Sequence, residues 1–249
     1  MLLPFVASFT LILIRVGAAF MLIPMLGGAM IPGRVRIGLA AVVSILLTTL
    51  SGPVETQGVI ELALAGTGEF ALGLAIGLVV RLTLVAAEIA GGVAGLQMGF
   101  SFSRVADPMT NESSTVIANI MRMLGLFIIL ALDGHHMILG ALAQSLNTAP
   151  PGAVLPRAAY AATAFPLLSS VMTTGVRMAA PVVVALLLTN ASIGLLARAA
   201  PQLNLLIMGF AMAILVGMWM LAHTVWPGFS LFVQRVQSIP QLLQAVVGA

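Results

Sequence analysis

Asp133, His135 and His136 stand within four residues of one another, and a carboxylate with two imidazoles is a donor set that binds divalent metals. Adjacent histidines on a helix point about 100° apart, so at best Asp133 and His136 share a face. A catalytic zinc usually takes three protein ligands, and the remaining histidine, His223, lies far along the chain. A polar break or helix cap is therefore the ordinary reading, and neither a metal nor any other cofactor is expected. Ser192, between Asn190 and Gly194, could meet His223 on a following helix as a nucleophile meets its base. No nucleophile motif or oxyanion arrangement accompanies the pair. Serine and asparagine in apolar helices more commonly hydrogen-bond to a packed neighbour. No catalytic residue is assigned, and the chain is not expected to be an enzyme.

Ionisable side chains inside apolar stretches are the other candidates, because each is costly there and needs a partner. Arg15, Glu69, Arg81, Glu88, Arg122 and Arg177 all occupy such stretches. Arg81 and Glu88 are seven residues apart, about two turns along one face, so each is expected to pair with another element. Interhelical pairs that fix packing are the favoured reading. Lining of a hydrated path is the alternative.

The elements that hold these residues are apolar throughout. The chain has 249 residues, 61% hydrophobic and 7% charged, with ten arginines, no lysine and seven acids. Its mean hydropathy of +1.17 falls outside the range of soluble domains, in which about a quarter of residues are charged. A bilayer-crossing helix needs about 20 predominantly apolar residues, and here Gly, Pro or ionisable residues repeatedly cut the runs. Few of those runs are expected to make a simple span, and many helices should pack against other protein. Net charge is only +3, and no basic cluster points to nucleic acid. With no cysteine, disulfides, thiolate-bound zinc and thiol catalysis are excluded. Arginine is spread almost evenly over the connections, so the positive-inside rule sets no orientation. Met1-Leu2-Leu3-Pro4 offers no positive n-region, and the first helix is expected to stay in the mature protein.

The apolar pattern predicts helices from about Leu2 to Ile23, Ile37 to Leu50, near Val59 to Phe100, Met121 to Leu132 and Met137 to Leu146. About 16 residues of mixed helix follow the Pro150-Pro151-Gly152 turn, and Met178–Leu196 and Leu205–Trp226 are the best span candidates. Ile37–Leu50 is short and suits a buried or re-entrant helix, preceded by a turn over Pro32-Gly33-Arg34-Val35-Arg36. Gly73 and Gly77, and again Gly91, Gly95 and Gly99, recur every four positions, which forms a face that another backbone can approach closely. Ser101 to Thr115 is the most polar stretch and reads as a loop. Arg198, Pro201, Gln202 and Asn204 form a polar elbow that folds the last two long helices into a hairpin, with Trp219, His223 and Trp226 as an interfacial belt. Fifteen methionines, among them Met98, Met109, Met121, Met123 and Met137 around the central loop, suit adaptable core filling or a compliant seal around a conduit.

Several of these segments together resemble the FliR family, components of the bacterial flagellar type III export gate. They are Gly91 to Phe100 (GGVAGLQMGF), Asp107-Pro108, Asp133-Gly134-His135 and Arg198 to Phe210 (RAAPQLNLLIMGF). The likeness runs over the whole chain, through Arg15-Val16-Gly17-Ala18, Pro24-x-Leu26-Gly27, Pro32 with Arg34 and Arg36, and Gly68-Glu69. Gln97-Met98-Gly99-Phe100 looks flagellar, whereas injectisome relatives tend to carry a charge after the glutamine. Ala213 departs from the family, which commonly has lysine there, and the turn before Pro32 is less typical.

The resemblance implies an all-α fold of membrane-type helical hairpins with broken helices, packed in a helical hetero-oligomeric gate. It implies a single unit over residues 1–249, P-like to about residue 170 and then a Q-like hairpin and C-terminal tail. The implied function is a structural, pore-forming part of the conduit for unfolded flagellar polypeptides. Implied partners are FliP-like and FliQ-like subunits of one hetero-oligomer, with FlhB-like and FlhA-like export proteins beside it, in the bacterial inner membrane at the flagellar basal body. The family's plug loop corresponds to roughly Ser101 to Met121, with Arg104, Asp107, Pro108, Met109, Asn111 and Glu112 as gating candidates. A homologous subunit of a virulence secretion apparatus is the alternative. A stand-alone secondary transporter would predict an inverted repeat and a mid-membrane site, and the sequence displays neither.

Overall fold

Every regular element is an α-helix in the computed structural model, which describes residues 2–27, 31–54, 58–100, 115–152, 159–199 and 205–247. In chain order these are α1 (Leu2–Leu22), α2 (Pro24–Gly27), α3 (Gly33–Ser51), α4 (Val59–Gln97), α5 (Val116–Ala131), α6 (Gly134–Thr148), α7 (Ala159–Ala199), α8 (Leu205–Gln237) and α9 (Ile239–Val247). Five stretches are long and apolar enough to cross a membrane: Pro4–Leu22, Gly33–Ser51, Val59–Gln97, Pro166–Ala199 and Ile207–Thr224. A sixth arises if α5 and α6, which meet at a 66° bend, form one broken span.

The expectation that few runs are long enough is thereby corrected. A mid-helix glycine costs only about 1 kcal/mol, so Gly73, Gly77, Gly91 and Gly92 interrupt the apolar pattern of α4 without ending its 39 residues. The turn expected at Pro32–Arg36 is the start of α3, which has 19 residues. Pro32 has φ −55° and ψ 137°, and its carbonyl accepts from the amides of Val35 and Arg36 at 2.9 and 3.3 Å. In the same way α7 runs unbroken for 41 residues through Pro166 and Pro181, where separate pieces were expected. Each proline removes one backbone donor, which a helix of this kind tolerates when other groups satisfy the freed carbonyl.

Two compact units divide the chain: Met1–Thr83 with Ile129–Ser169 and Val236–Ala249, and Leu84–Ile128 with Ser170–Arg235. In the first, α1 buries Leu11, Ile12, Val16, Ala19 and Phe20. α3, which packs on α1, buries Ala40, Ser44, Leu47 and Thr48, spaced at helical periodicity. Ser44 and Thr48 donate to the carbonyls of Ala40 and Ser44, both at 2.6 Å, so their hydroxyls are satisfied inside α3. Gly52, at φ 75°, ends α3 in the left-handed region that glycine enters at no steric cost. Ser8 then ties the chain back, donating to the Gly52 carbonyl at 3.0 Å and accepting from the Val54 amide at 2.8 Å. Ile239, Leu243, Val246 and Val247 form the buried stripe of α9, which packs on α6.

In the second unit, Ala94 and Met98 of α4 and its terminal turn join Ile117, Val182, Leu186 and Ala213 in one core. Contacts of α7 with α8 pair Val182 and Leu186 with Ala213 and, further on, Ser170 with Arg235, so the two helices run antiparallel. The elbow residues Pro201, Gln202 and Asn204 lie outside the described residues, and Arg198 is exposed in the last turn of α7.

Candidate functional site

Arg15 and Glu69 form an ion pair 54 residues apart in sequence, with 1% and 0% of their side chains exposed. Each guanidinium nitrogen of Arg15 has a partner. Arg15 Nε donates to Glu69 Oε2, NH1 to Ser145 Oγ at 2.9 Å, and NH2 to the Ala149 carbonyl at 2.9 Å. Glu69 Oε1 accepts from the Gly152 amide at 3.1 Å, and the Ser145 hydroxyl donates to the Leu142 carbonyl at 2.7 Å. The guanidinium fork suits this role because its donors diverge in a fixed plane toward three separate acceptors. One charge pair thus fastens α1, α4, the C-terminus of α6 and the Pro150–Gly152 turn.

Close helix packing brings the two charges together. A Cβ on Gly73 would fall inside the Arg15 carbonyl, and one on Gly77 would lie 2.6 Å from the Ala19 oxygen. Gly66 faces Ile14 at 3.3 Å from its hypothetical Cβ. Both side chains are buried, and desolvation makes each charge depend on the other. Ser145, Ala149 and Gly152 could not have been assigned from the sequence. Their backbone or hydroxyl groups carry no charge signature, and Ser145 is 130 residues from Arg15.

The second constellation is the glycine face of α4. A Cβ on Gly91 would meet the Ile117 carbonyl oxygen at 2.6 Å, one on Gly95 the Thr115 hydroxyl at 2.8 Å, and one on Gly99 the Phe210 ring at 2.7 Å. Thr115 also accepts from the Ala118 amide at 3.2 Å and so caps α5. Gly99 has φ 85° and closes α4 with its amide bonded to the Leu96 carbonyl at 3.1 Å. Met98, fully buried, touches the position where Gly217 lacks a side chain. A recess of about 310 Å³ opens beside them, lined by Gln97, Gly99, Asn190 and Phe210 among others. Met121 is buried and Met123 half-exposed. Met109 and the gating candidates Arg104, Asp107, Pro108, Asn111 and Glu112 lie outside the described residues.

The other charges are not equivalent to Arg15 and Glu69. Glu88 meets Arg122 at 3.5 Å, with the side chains 39% and 47% exposed, and Arg122 also reaches Asn119 Oδ1 at 3.4 Å. Arg81 and Arg177 are exposed and have no ion-pair partner among the described residues. Arg235 donates to Ser170 Oγ at 3.0 Å, and burial lowers its pKa.

Ser192 and His223 spend their polar atoms within their own helices. The serine donates to the Leu188 carbonyl at 2.9 Å, and His223 Nδ1 bonds the Trp219 carbonyl at 2.9 Å. The expectation that Ser192 bridges to a neighbouring helix is corrected, since a hydroxyl one turn above a helical carbonyl finds it without a partner. Asp133, His135 and His136 converge instead of diverging, with one donor atom of each within 4.8 Å of the others. Asp133 stands at the N-cap of α6 but makes no side-chain cap bond.

Residues 6–239 match the protein family described as bacterial export proteins, family 1. The chain is similar to the flagellar biosynthetic protein FliR of Caulobacter vibrioides, 32% identical over 217 residues that cover 85% of this chain and 86% of that one. It is likewise similar to FliR of Bacillus subtilis, at 30% over 221 residues covering 86% and 84% of the two chains. FliR of Escherichia coli is 32% identical over 213 residues, covering 84% and 81%.

Proposed function

The chain belongs to family 1 of the bacterial export proteins, the FliR family, and from that premise we propose that it is a structural, non-enzymatic component of the flagellar protein export apparatus. Its place is in the bacterial inner membrane at the flagellar basal body. There it forms part of the conduit for unfolded flagellar polypeptides, in one hetero-oligomer with FliP-like and FliQ-like subunits and beside FlhB-like and FlhA-like proteins. The segment 1–170 acts as the P-like part and 171–249 as the Q-like hairpin and tail.

The observation that carries this reading is Arg177. It is exposed on α7, inside the stretch Pro166–Ala199 that is long and apolar enough to cross a membrane. An arginine at the centre of a lipid-facing helix costs about 2.5–3.5 kcal/mol on insertion scales. A surface that is apolar, extensive and punctuated by such a charge is suited to cover by other protein subunits. The hydroxyl and imidazole candidates, engaged within their helices, favour no enzymatic role. The relatives quoted above all carry flagellar names, which favours the flagellar reading over a virulence system.

The polar segment from Ser101, with Arg104, Asp107, Pro108, Met109, Asn111 and Glu112, acts as the plug. The close-packed Gly91–Gly95–Gly99 face and Met98 provide the rigid support from which it emerges. Purification of the chain from its native membrane should yield P-like and Q-like proteins in one large complex; recovery as a monomer or small homo-oligomer refutes the assembly. Deleting Arg104 to Ser113 should raise ion leak through that complex, and unchanged conductance refutes the plug.

A further inference from the structure

We propose that Asp133, His135 and His136 form a binding site for one divalent late first-row metal ion, with zinc as the best match, at the bend between α5 and α6. One donor atom from each of the three side chains lies within 4.8 Å of the other two. Zinc takes imidazole nitrogen and carboxylate oxygen at about 2.0–2.2 Å, so tetrahedral neighbours around it stand roughly 3.3 Å apart. Asp133 Oδ1 and His136 Nδ1 are already 3.5 Å apart. The His135 and His136 ring centroids are 4.2 Å apart, and side-chain rotation has to bring donor atoms at most 4.8 Å apart to the tetrahedral spacing. Two imidazoles and one carboxylate suit zinc, copper, nickel or cobalt, whereas calcium and magnesium prefer all-oxygen sets.

The backbone explains how neighbours in sequence converge here. Asp133 is the one non-glycine residue with positive φ among the described residues, at 55°, where aspartate is among the tolerated types. Gly134 follows because a Cβ there would lie 2.5 Å from the Ile129 side chain. This Asp-Gly corner turns the aspartate back over the first turn of α6, where the amides of His136 and Met137 bond to its carbonyl at 2.9 and 3.2 Å. The Asp133 carboxylate, with no cap bond to make, is left beside the imidazoles. Asp133 and His136 are 72% and 71% exposed, so the fold of this chain leaves room for an ion and for its remaining ligand. A bound ion would staple the N-cap of α6 to its first turn and stiffen the bend.

The test titrates the full-length chain, in detergent and without a polyhistidine tag, with Zn²⁺ by calorimetry and with Co²⁺ by its visible absorption. One ion per chain is expected. Loss of an outer-shell partner alone costs roughly 10–100-fold in affinity, so Asp133→Asn, His135→Gln and His136→Gln should each weaken binding by about tenfold or more. His223→Gln, remote in sequence and engaged with Trp219, should leave it unchanged. Absence of saturable one-to-one binding, or an unaltered titration in any of the three ligand variants, overturns the three-donor site.

Discussion

Replacing Glu69 by Gln keeps the shape of the buried hub and removes its negative charge. Gln retains one oxygen, and Arg15 keeps its bonds to Ser145 and the Ala149 carbonyl, so the principal loss is electrostatic. Two unit charges about 4 Å apart are worth roughly 4 kcal/mol at an effective dielectric of about 20. Breaking one side of a buried pair generally costs about 3–5 kcal/mol, because the remaining charge stays desolvated. The expected loss for Glu69→Gln is therefore about 4 kcal/mol, close to a thousandfold in the unfolding equilibrium. Helicity followed by circular dichroism along an SDS titration in mixed micelles measures it. Adding Arg15→Met removes the orphaned cation, so the double variant should lose less than the two single losses summed. A loss for Glu69→Gln below about 1 kcal/mol, the range of an exposed pair, refutes the reasoning. Strict additivity of the two losses does so as well. Glu88→Gln supplies the contrast, because its pair with Arg122 is half-exposed and should cost under about 1 kcal/mol.

Gly91→Ala should destabilise the chain by at least about 1–3 kcal/mol, because the new methyl meets α5 backbone. Gly92→Ala, with nothing within 4 Å, should stabilise by up to about 1 kcal/mol through helix propensity; the same SDS titration compares the two. Met98→Ala empties a fully buried site and should cost about 2–5 kcal/mol. Met123→Ala, at 50% exposure, should stay within about 0.5 kcal/mol of the parent in matched thermal melts. Ser192→Ala and His223→Gln should leave flagellar export unchanged in a motility-plate and secreted-flagellin assay, since the hydrogen bonds of both side chains among the described residues stay within their own helices.

Much of the architecture was legible because it depends on composition and spacing. Arg15 and Glu69 stood out as ionisable residues in apolar runs, and Gly91, Gly95 and Gly99 as a repeat of period four. Helix ends were less legible. Pro32 read as part of a turn, yet it opens α3, and the mixed helix expected after Gly152 and the span expected from Met178 are one helix, α7, with Pro166 and Pro181 inside it. Whether a proline stops a helix depends on what can satisfy the freed carbonyl, and that is settled by neighbours rather than by the proline. The differing fates of the charges were illegible for a related reason. Arg15 and Arg177 look alike in sequence, but one is enclosed and the other exposed.

The sequence by itself determined that this is an apolar, helical, cysteine-free chain with scarce charges. It carries the motif order of the FliR family, because hydropathy, periodicity and residue identity are local properties. Tertiary structure alone decided which charges are buried and which oxygen atoms surround them. It also decided that Asp133, His135 and His136 converge. A helical wheel sends adjacent histidines apart, whereas a left-handed aspartate packed before Gly134 turns the carboxylate back toward both. Burial and convergence arise from distances between segments that sequence spacing does not encode, and those distances determine what a charge costs and what a donor can bind.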